Sequence, residues 1–150
     1  MSGAFFITPA NAEHIPEICL IERQSFSTPW SAASFQKEFS DGLAHYFVAL
    51  SEGGGDVVGY CGYWSIVGEA HITNVAVRPD FRRRGVARAL LSAMLADIAA
   101  RGHTAATLEV RDGNSAAICL YEGFGFYHAG VRKNYYQKEK KDALIMWKRL

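Results

Sequence analysis

The shortages in this sequence exclude several function classes. Sixteen Lys and Arg stand against 15 Asp and Glu, a formal net charge of +1, so no bulk attraction to nucleic acid or to an anionic membrane is expected. No apolar run approaches the roughly 20 residues of a membrane-spanning helix. The opening MSGAFFITPA has no basic stretch followed by an apolar one, so no secretory leader is expected. Cysteine is scarce and odd in number. Cys19, Cys61 and Cys119 each lie among apolar residues, which fits a reduced, cytoplasmic protein using cysteine as a small hydrophobe. His14, His45, His71, His103 and His128 are too dispersed for a metal-ligand spacing, so no metal is expected. No repeat or low-complexity segment occurs. Two common nucleotide loops are missing as well. There is no Gly-Lys pair for a P-loop, and Gly123-Phe124-Gly125 falls at a helix end, where a dinucleotide fingerprint needs a helix start.

What is present suits one domain over residues 1–150. Apolar residues make up 49% and charged residues 21%, close to globular averages and far from disordered, collagen-like or coiled-coil compositions. A chain of this length buries roughly 70% of its unfolded surface and needs no disulfide or metal to hold a core.

The pattern predicts a helix over about His14 to Phe26, with Ile15, Ile18, Cys19, Glu22 and Phe26 at helical spacing and Pro16 in its first turn. A second helix follows Ser31, a good N-cap, with Trp30 and Phe35 spaced as a hydrophobic staple. Gly53-Gly54-Gly55 separates two strand-like runs as a hairpin loop. Its glycines are not followed by a helix, which argues against a phosphate site. Tyr60 to Ile66 and His71 to Val77 read as strands, the second apolar enough at its end to lie centrally. A long helix is predicted over Val86 to Ala100, closed by Gly102. A strand over Thr104 to Val110 and a short helix over Ser115 to Glu122, stopped by Gly123, come next. Two strands, Phe124 to Tyr135 and Ala143 to Leu150, end the chain. The order predicts an α/β fold with a mixed sheet.

The stretch Arg82-Arg83-Arg84-Gly85-Val86-Ala87 sits between a buried strand and a helix start. Backbone N–H groups there lack internal partners and the helix dipole is positive, so an anion is favoured. Gly85 allows close approach, and the arginines offer charge-assisted bonds. A pyrophosphate fits, where a bare arginine tripeptide would read only as a solvated turn.

The arrangement R-x-x-G-x-A after a strand ending V-A-V-x-P resembles the acetyl-CoA signature of the GNAT N-acetyltransferases. Leu108-Glu109-Val110-Arg111, Asn114-Ser115-Ala116-Ala117-Ile118 and Leu120-Tyr121-Glu122-Gly123-Phe124-Gly125-Phe126 follow at that family's spacing. Pro29-Trp30-Ser31, Arg132-Lys133-Asn134-Tyr135-Tyr136 and Asp142-Ala143-Leu144-Ile145-Met146 resemble its ribosomal-protein-alanine branch more narrowly. The likeness runs from about Asn11 to Trp147 and is strongest from Asn74 to Tyr136. Departures are Lys133 where two arginines are common, a longer glycine hairpin, and Ala87 in place of a glycine.

This resemblance implies the GNAT fold: a mixed, mostly antiparallel sheet with a V-shaped splay between central strands, flanked by helices. It also implies acetyl-CoA as co-substrate and no metal. Val75, Ala76 and Val77 would contact acetyl-CoA through the main chain. Arg83, Arg84, Gly85, Val86, Ala87 and Arg88 would hold the pyrophosphate, and Asn114 the pantetheine arm, alongside its reading as a plain helix cap. The implied partner is a protein N-terminus, the branch acting on the alanine of the eighteenth small-subunit ribosomal protein. Tyr135 and Tyr136 would wall the peptide site on one side, Trp30 and Phe26 on the other; the alternative for the tyrosines is ordinary core and rim aromatics.

Acyl transfer needs a neutral amine. At pH 7 roughly 10% of an α-amine is neutral against roughly 0.04% of a lysine, from their ordinary pKa values, so a modest base suffices for a protein N-terminus. Glu109 matches the family base, acting directly or through water. As an acid within Thr107-Leu108-Glu109-Val110, its burial would raise its pKa; the alternative is a carboxylate paired with an arginine such as Arg111. Tyr121 matches the family acid for the leaving thiolate, an uphill transfer by about 2 kcal/mol at ordinary pKa values; the alternative is a core aromatic. Glu69 and His71 are rival bases. Cys61 and Cys119 lack an adjacent His or Asp, so direct transfer in a ternary complex is expected rather than an acyl-enzyme. Two other readings remain open: an acetyltransferase of a small amine or lysine side chain, and an acyl-CoA-binding module without turnover.

Overall fold

The computed structural model describes residues 4–136, 138 and 140–150. The first three residues of the opening stretch read for a leader lie outside them. Seven strands form one sheet in the order β1-β2-β3-β4-β5-β7-β6. They are β1 (Phe5–Pro9), β2 (Ala44–Ser51), β3 (Val57–Ile66), β4 (Glu69–Val77), β5 (Ala105–Arg111), β6 (Tyr127–Tyr136) and β7 (Lys141–Arg149). The helices are α1 (Ile15–Ser25), α2 (Ala32–Ser40), α3 (Val86–Ala100) and α4 (Ser115–Gly123). The order confirms the mixed, mostly antiparallel sheet. Only β4 and β5 run parallel, because the crossover through α3 returns the chain in the same direction.

That parallel pair is short. It runs from Glu69↔Ala105 to Ile72↔Leu108 and stops, leaving β4 from Thr73 to Val77 without a strand partner on its β5 side. This is the splay. It begins beside a bulge, since Gly62 opposes Asn74 while Tyr63 opposes Ile72, leaving Thr73 extra. The extra residue switches the parity of β4. Ala70 and Ile72 share a core with Val77 and α3, whereas Ala76 joins the core on the opposite face.

The two cores divide the helices between them. On one face Leu90, Leu91, Met94 and Ile98 of α3 are buried against Val58, Cys61, Leu108 and Met146. Leu95 of the same helix is only half-buried. On the other face Ile15, Ile18, Cys19 and Ile21 of α1 pack with Phe35, Tyr46 and Tyr60. Trp30 and Phe35 meet at 5.4 Å between ring centroids as the predicted staple, and Ser31 caps α2 by accepting from the Ser34 N–H.

Four readings need correction. The sequence pattern gave no strand before α1, yet β1 pairs with the outer edge of β2; its five residues end at Pro9, which an edge strand tolerates. Gly123 does not stop α4. It is the last helical residue, and Gly125 at φ +91° closes the helix, with its N–H bonded to Glu122 O and that of Phe126 bonded to Tyr121 O. Phe124 and Phe126 therefore precede β6, and Phe126 is buried. Cys19 and Cys61 are buried as expected, but Cys119 is exposed.

Candidate active site

The exit of β4 is built for rigidity. Pro79–Phe81 forms a single tight turn. Arg78 grips Asp80 with two bonds of 2.7 and 3.0 Å, and Phe81 lies between the guanidinium groups of Arg78 and Arg84, 4.9 and 5.0 Å from its ring centre. Arg82 turns back, donating to Val77 O at 2.9 Å and to Ser25 Oγ at 3.3 Å. Arg83 takes a left-handed φ of +62° and Gly85 one of +82°, so the chain kinks sharply before α3. The Gly85 conformation is open to glycine and strained for other residues. Val86 is buried, leaving its main chain as the part available to an anion. Arg83 and Arg88 line a cavity of about 460 Å³ with Ala116, Cys119 and Leu120 of α4. The Asn114 side chain accepts from the Ala117 N–H at 3.3 Å, so its cap reading holds. Val75 to Val77 and Arg83 to Arg88 thus lie along the splay and the start of α3, and Asn114 caps the helix that lines the cavity with Arg83 and Arg88.

Beyond the last β4–β5 pair, Glu109 projects from the face opposite Leu108 and Val110. Its Oε1 lies 2.9 Å from His71 Nε2, and its Oε2 lies 3.8 Å from Arg132 Nη1. Arg111 is not its partner, contrary to one expectation. The pKa expectation is overturned too. Burial pushes the carboxyl up, but the His71 hydrogen bond outweighs it, and the charges of His71 and Arg132 add to the downward shift. Glu109 is held below its ordinary value. His71 is therefore brought to the site. Glu69 is not: it is exposed at the far end of β4 and opposes Ala105, four residues before Glu109. Trp64 presents its edge to His71 at 6.0 Å and donates its indole N–H to Glu38.

Tyr121 is 8% exposed, with its ring 5.8 Å from Phe126. Burial, then Cys61 and Tyr136, push its phenol well above the ordinary tyrosine range. It stays a proton donor through the neutral range, and the uphill gap to a thiolate is wider than ordinary pKa values imply. The core-aromatic reading describes its packing.

The residues expected to wall the acceptor come from the end of β6 and from the α1–α2 loop. Asn134, at φ +53°, bends β6, and its N–H donates to Asp142 Oδ1 at 2.9 Å. Tyr135 and Tyr136 follow with ring centres 5.1 Å apart, and the Arg132 guanidinium lies 5.3 Å over Tyr135. Across from them runs the α1–α2 loop, where Phe26 is 40% exposed. Lys138 Nζ reaches Ser27 O at 3.1 Å, tying this loop to the end of β6. Sequence reasoning missed Arg132 as a partner of Glu109, since 23 residues and a strand crossing separate them. Among the described residues no cluster of three or more His, Cys, Asp or Glu could hold a metal.

Residues 15–126 match the acetyltransferase (GNAT) family. A Bacillus subtilis (strain 168) protein, provisionally named a ribosomal protein bS18-alanine N-acetyltransferase, is 38% identical over 136 residues, spanning 90% of this chain and 89% of its own. The ribosomal protein bS18-alanine N-acetyltransferase of Escherichia coli (strain K12) is 32% identical, over 93% of this chain and 94% of its own. The crystal structure of the Escherichia coli ribosomal-protein-S18-alanine N-acetyltransferase superposes with a TM-score of 0.89 at 32% identity, covering 97% of this chain and 94% of that one.

Proposed function

This chain belongs to the GNAT acetyltransferases and to their ribosomal-protein-alanine branch, and from that premise we propose that it moves the acetyl group of acetyl-CoA directly onto the α-amine of a protein N-terminus. The favoured acceptor is the alanine of ribosomal protein bS18, on which the Escherichia coli relative is named to act. The observation that carries the reading is the Glu109–His71 pair at 2.9 Å, one residue past the point where β4 and β5 part.

In this reading the main chain of Val75, Ala76 and Val77 takes the pantetheine arm along the unpaired side of β4. Asn114 adds a bond to that arm beyond its cap. The first-turn N–H groups from Gly85 to Arg88, with Arg83 and Arg84, take the pyrophosphate. The amine nitrogen attacks the thioester carbon and the C–S bond breaks. The amine proton passes to the Glu109–His71 pair, directly or through water, and CoA leaves as the thiol with the proton of Tyr121. A depressed Glu109 is ionised at neutral pH, so it attracts the α-ammonium before deprotonation. Among protein amines the α-amine needs the least help, since its pKa lies near 8. No side chain is acylated on the way.

The test uses the purified protein with acetyl-CoA and a hexapeptide beginning Ala-Arg, following free thiol and peptide mass. A lysine-blocked peptide and an N-terminally blocked one run beside it. Acetylation that requires the free α-amine is expected, with Tyr121→Phe slowing kcat while leaving acetyl-CoA affinity unchanged. Transfer to free polyamines or internal lysines but not to the Ala-Arg peptide would overturn the reading, as would tight acetyl-CoA binding without turnover.

A further inference from the structure

Glu22 lies on the apolar face of α1 and is 2% exposed. Among the described residues no cation pairs with it. Its carboxyl oxygens are instead held by neutral donors from three separate segments. Oε1 accepts from the Tyr60 hydroxyl on β3 and from Asn74 Nδ2 on β4 at 3.4 Å. Oε2 accepts from the Trp30 backbone N–H, in the α1–α2 loop, at 3.0 Å. Burial and the neighbouring Glu22 push the Tyr60 phenol far above its ordinary value, so it serves as the donor.

Stability does not account for this arrangement. A buried carboxyl group pays a desolvation cost that neutral donors only partly offset, and apolar residues of similar volume commonly pack as well or better. The surroundings would accept them: Ile18, Cys19, Ile21, Phe35 and Ala76 form the core on this face. A polar group adds direction, since hydrogen bonds fix the angle and depth of what they hold. Here they tie the α1–α2 loop to two strands of the sheet. Over residues 25–30 the polar ties include the Phe26 N–H to Glu22 O at the helix end and exposed side-chain bonds at Ser25, from Arg82, and at Ser27, from Lys138. The Glu22 bond to Trp30 is part-buried and joins the loop to the carboxyl that β3 and β4 hold, so it sets where the staple to Phe35 and the exposed Phe26 stand relative to β4.

We propose that Glu22 is a positioning residue for the acceptor: its carboxyl group anchors the α1–α2 loop to β3 and β4, and so sets the wall against which the incoming amine-bearing chain packs. This rests on the acceptor lying between that loop and Tyr135–Tyr136. Glu22 does not touch the reacting atoms. Its removal weakens acceptor binding and leaves the cofactor loop, which begins beyond Val77, in place.

The experiment compares Glu22→Gln, Glu22→Ala and the double variant Glu22→Met/Tyr60→Phe with the parent chain. Each is measured for acetyl-CoA affinity by calorimetry, for KM and kcat on the Ala-Arg hexapeptide, and for amide exchange over residues 26–31. The double variant fills the core with apolar volume, so it tests the proposal even if Glu22→Ala does not fold. Expected are a KM for peptide raised about tenfold or more in the double variant, the size expected when a donor such as the Trp30 N–H is left unsatisfied. Loop exchange should quicken, while acetyl-CoA affinity and kcat stay within about twofold. Glu22→Gln should recover most of the KM, because its oxygen can still accept from Trp30 while its amide meets Asn74 turned over. A double variant with parental peptide KM and parental loop exchange overturns the proposal. So does a loss of acetyl-CoA affinity as large as the loss for peptide, which would mark Glu22 as part of the general core. If the parent chain acetylates only another amine, the proposed acceptor fails, and the same split is then read with that amine.

Discussion

The two sides of the active site are assembled differently. The proposed cofactor side runs almost continuously from Val75 to Arg88, with Asn114, the cap of α4, added. The proposed acceptor side is gathered from Glu22 and the α1–α2 loop, His71, Glu109, and the group of Arg132, Tyr135, Tyr136 and Lys138. A side built from one strand–turn–helix carries its geometry in local backbone preference. A side built from four distant segments carries it in packing and long-range hydrogen bonds. The first should tolerate change elsewhere in the molecule, whereas the second should respond to it.

The comparison breaks most sharply at Glu109. Glu109→Gln is expected to lower kcat by about 10²- to 10³-fold, the usual size of a lost acid–base group, with acetyl-CoA affinity unchanged. Calorimetry beside steady-state kinetics checks this, and a matching fall in acetyl-CoA affinity would show that the two sides are not separable. Arg83→Ala should do the reverse. It should weaken acetyl-CoA binding about tenfold, as expected for one charge-assisted contact, and leave peptide KM unchanged at saturating acetyl-CoA.

A smaller effect sharpens the acceptor side. His71 is the first cause of the depressed Glu109 pKa. His71→Gln should let that pKa rise toward the ordinary 4.5, moving the acid limb of kcat/KM to higher pH. A profile from pH 4 to 7 reads the shift. The sign for stability is the same: the pair stabilises the fold above the unfolded carboxyl pKa, and that contribution is lost as pH falls through the folded one.

The smallest effect belongs to neither side. At the far end of the sheet, His45 stacks on Tyr63 at 4.9 Å, and Tyr63 donates to Asp97 at 2.6 Å. Burial first, then Arg101, lowers the His45 pKa, with His103 adding to this and Asp97 opposing it. Its neutral form is favoured on folding, so the protein should lose a little stability as pH drops from 6.5 through the lowered value. Thermal melting of His45→Gln beside the parent chain should show a shallower acid slope, with both binding affinities unmoved.

The same contrast explains what was readable in the sequence. The bounds of α3, Gly85 at the kink, Gly102 at the helix end and Ser31 at its cap follow from residues within one turn of each other. The order of elements along the chain follows from their hydrophobic periodicities, except for β1, too short and too near Pro9 to announce itself, whereas the place of β7 between β5 and β6 does not. Glu109 stood out as an acid within an apolar strand. Its partners did not, because His71 lies across a parallel pairing and Arg132 across the β7 crossing. The pKa direction failed for that reason: burial can be guessed from neighbours in sequence, a hydrogen bond from another strand cannot. Glu22 did leave a trace, as an acid at the spacing of Ile15, Ile18 and Cys19, but its donors come from β3, β4 and the next loop.

The parallel seam between β4 and β5 has a mechanical consequence. Four residue pairs make up the backbone pairing between strands β1–β4 and the β5–β7 group in the sheet. Such a seam is where sub-global opening should begin, so the two groups should exchange amide protons as separate cooperative units. A pantetheine chain lying along the open side of β4 would act as the missing stretch of strand, closing the seam and merging the two units into one for as long as it is bound.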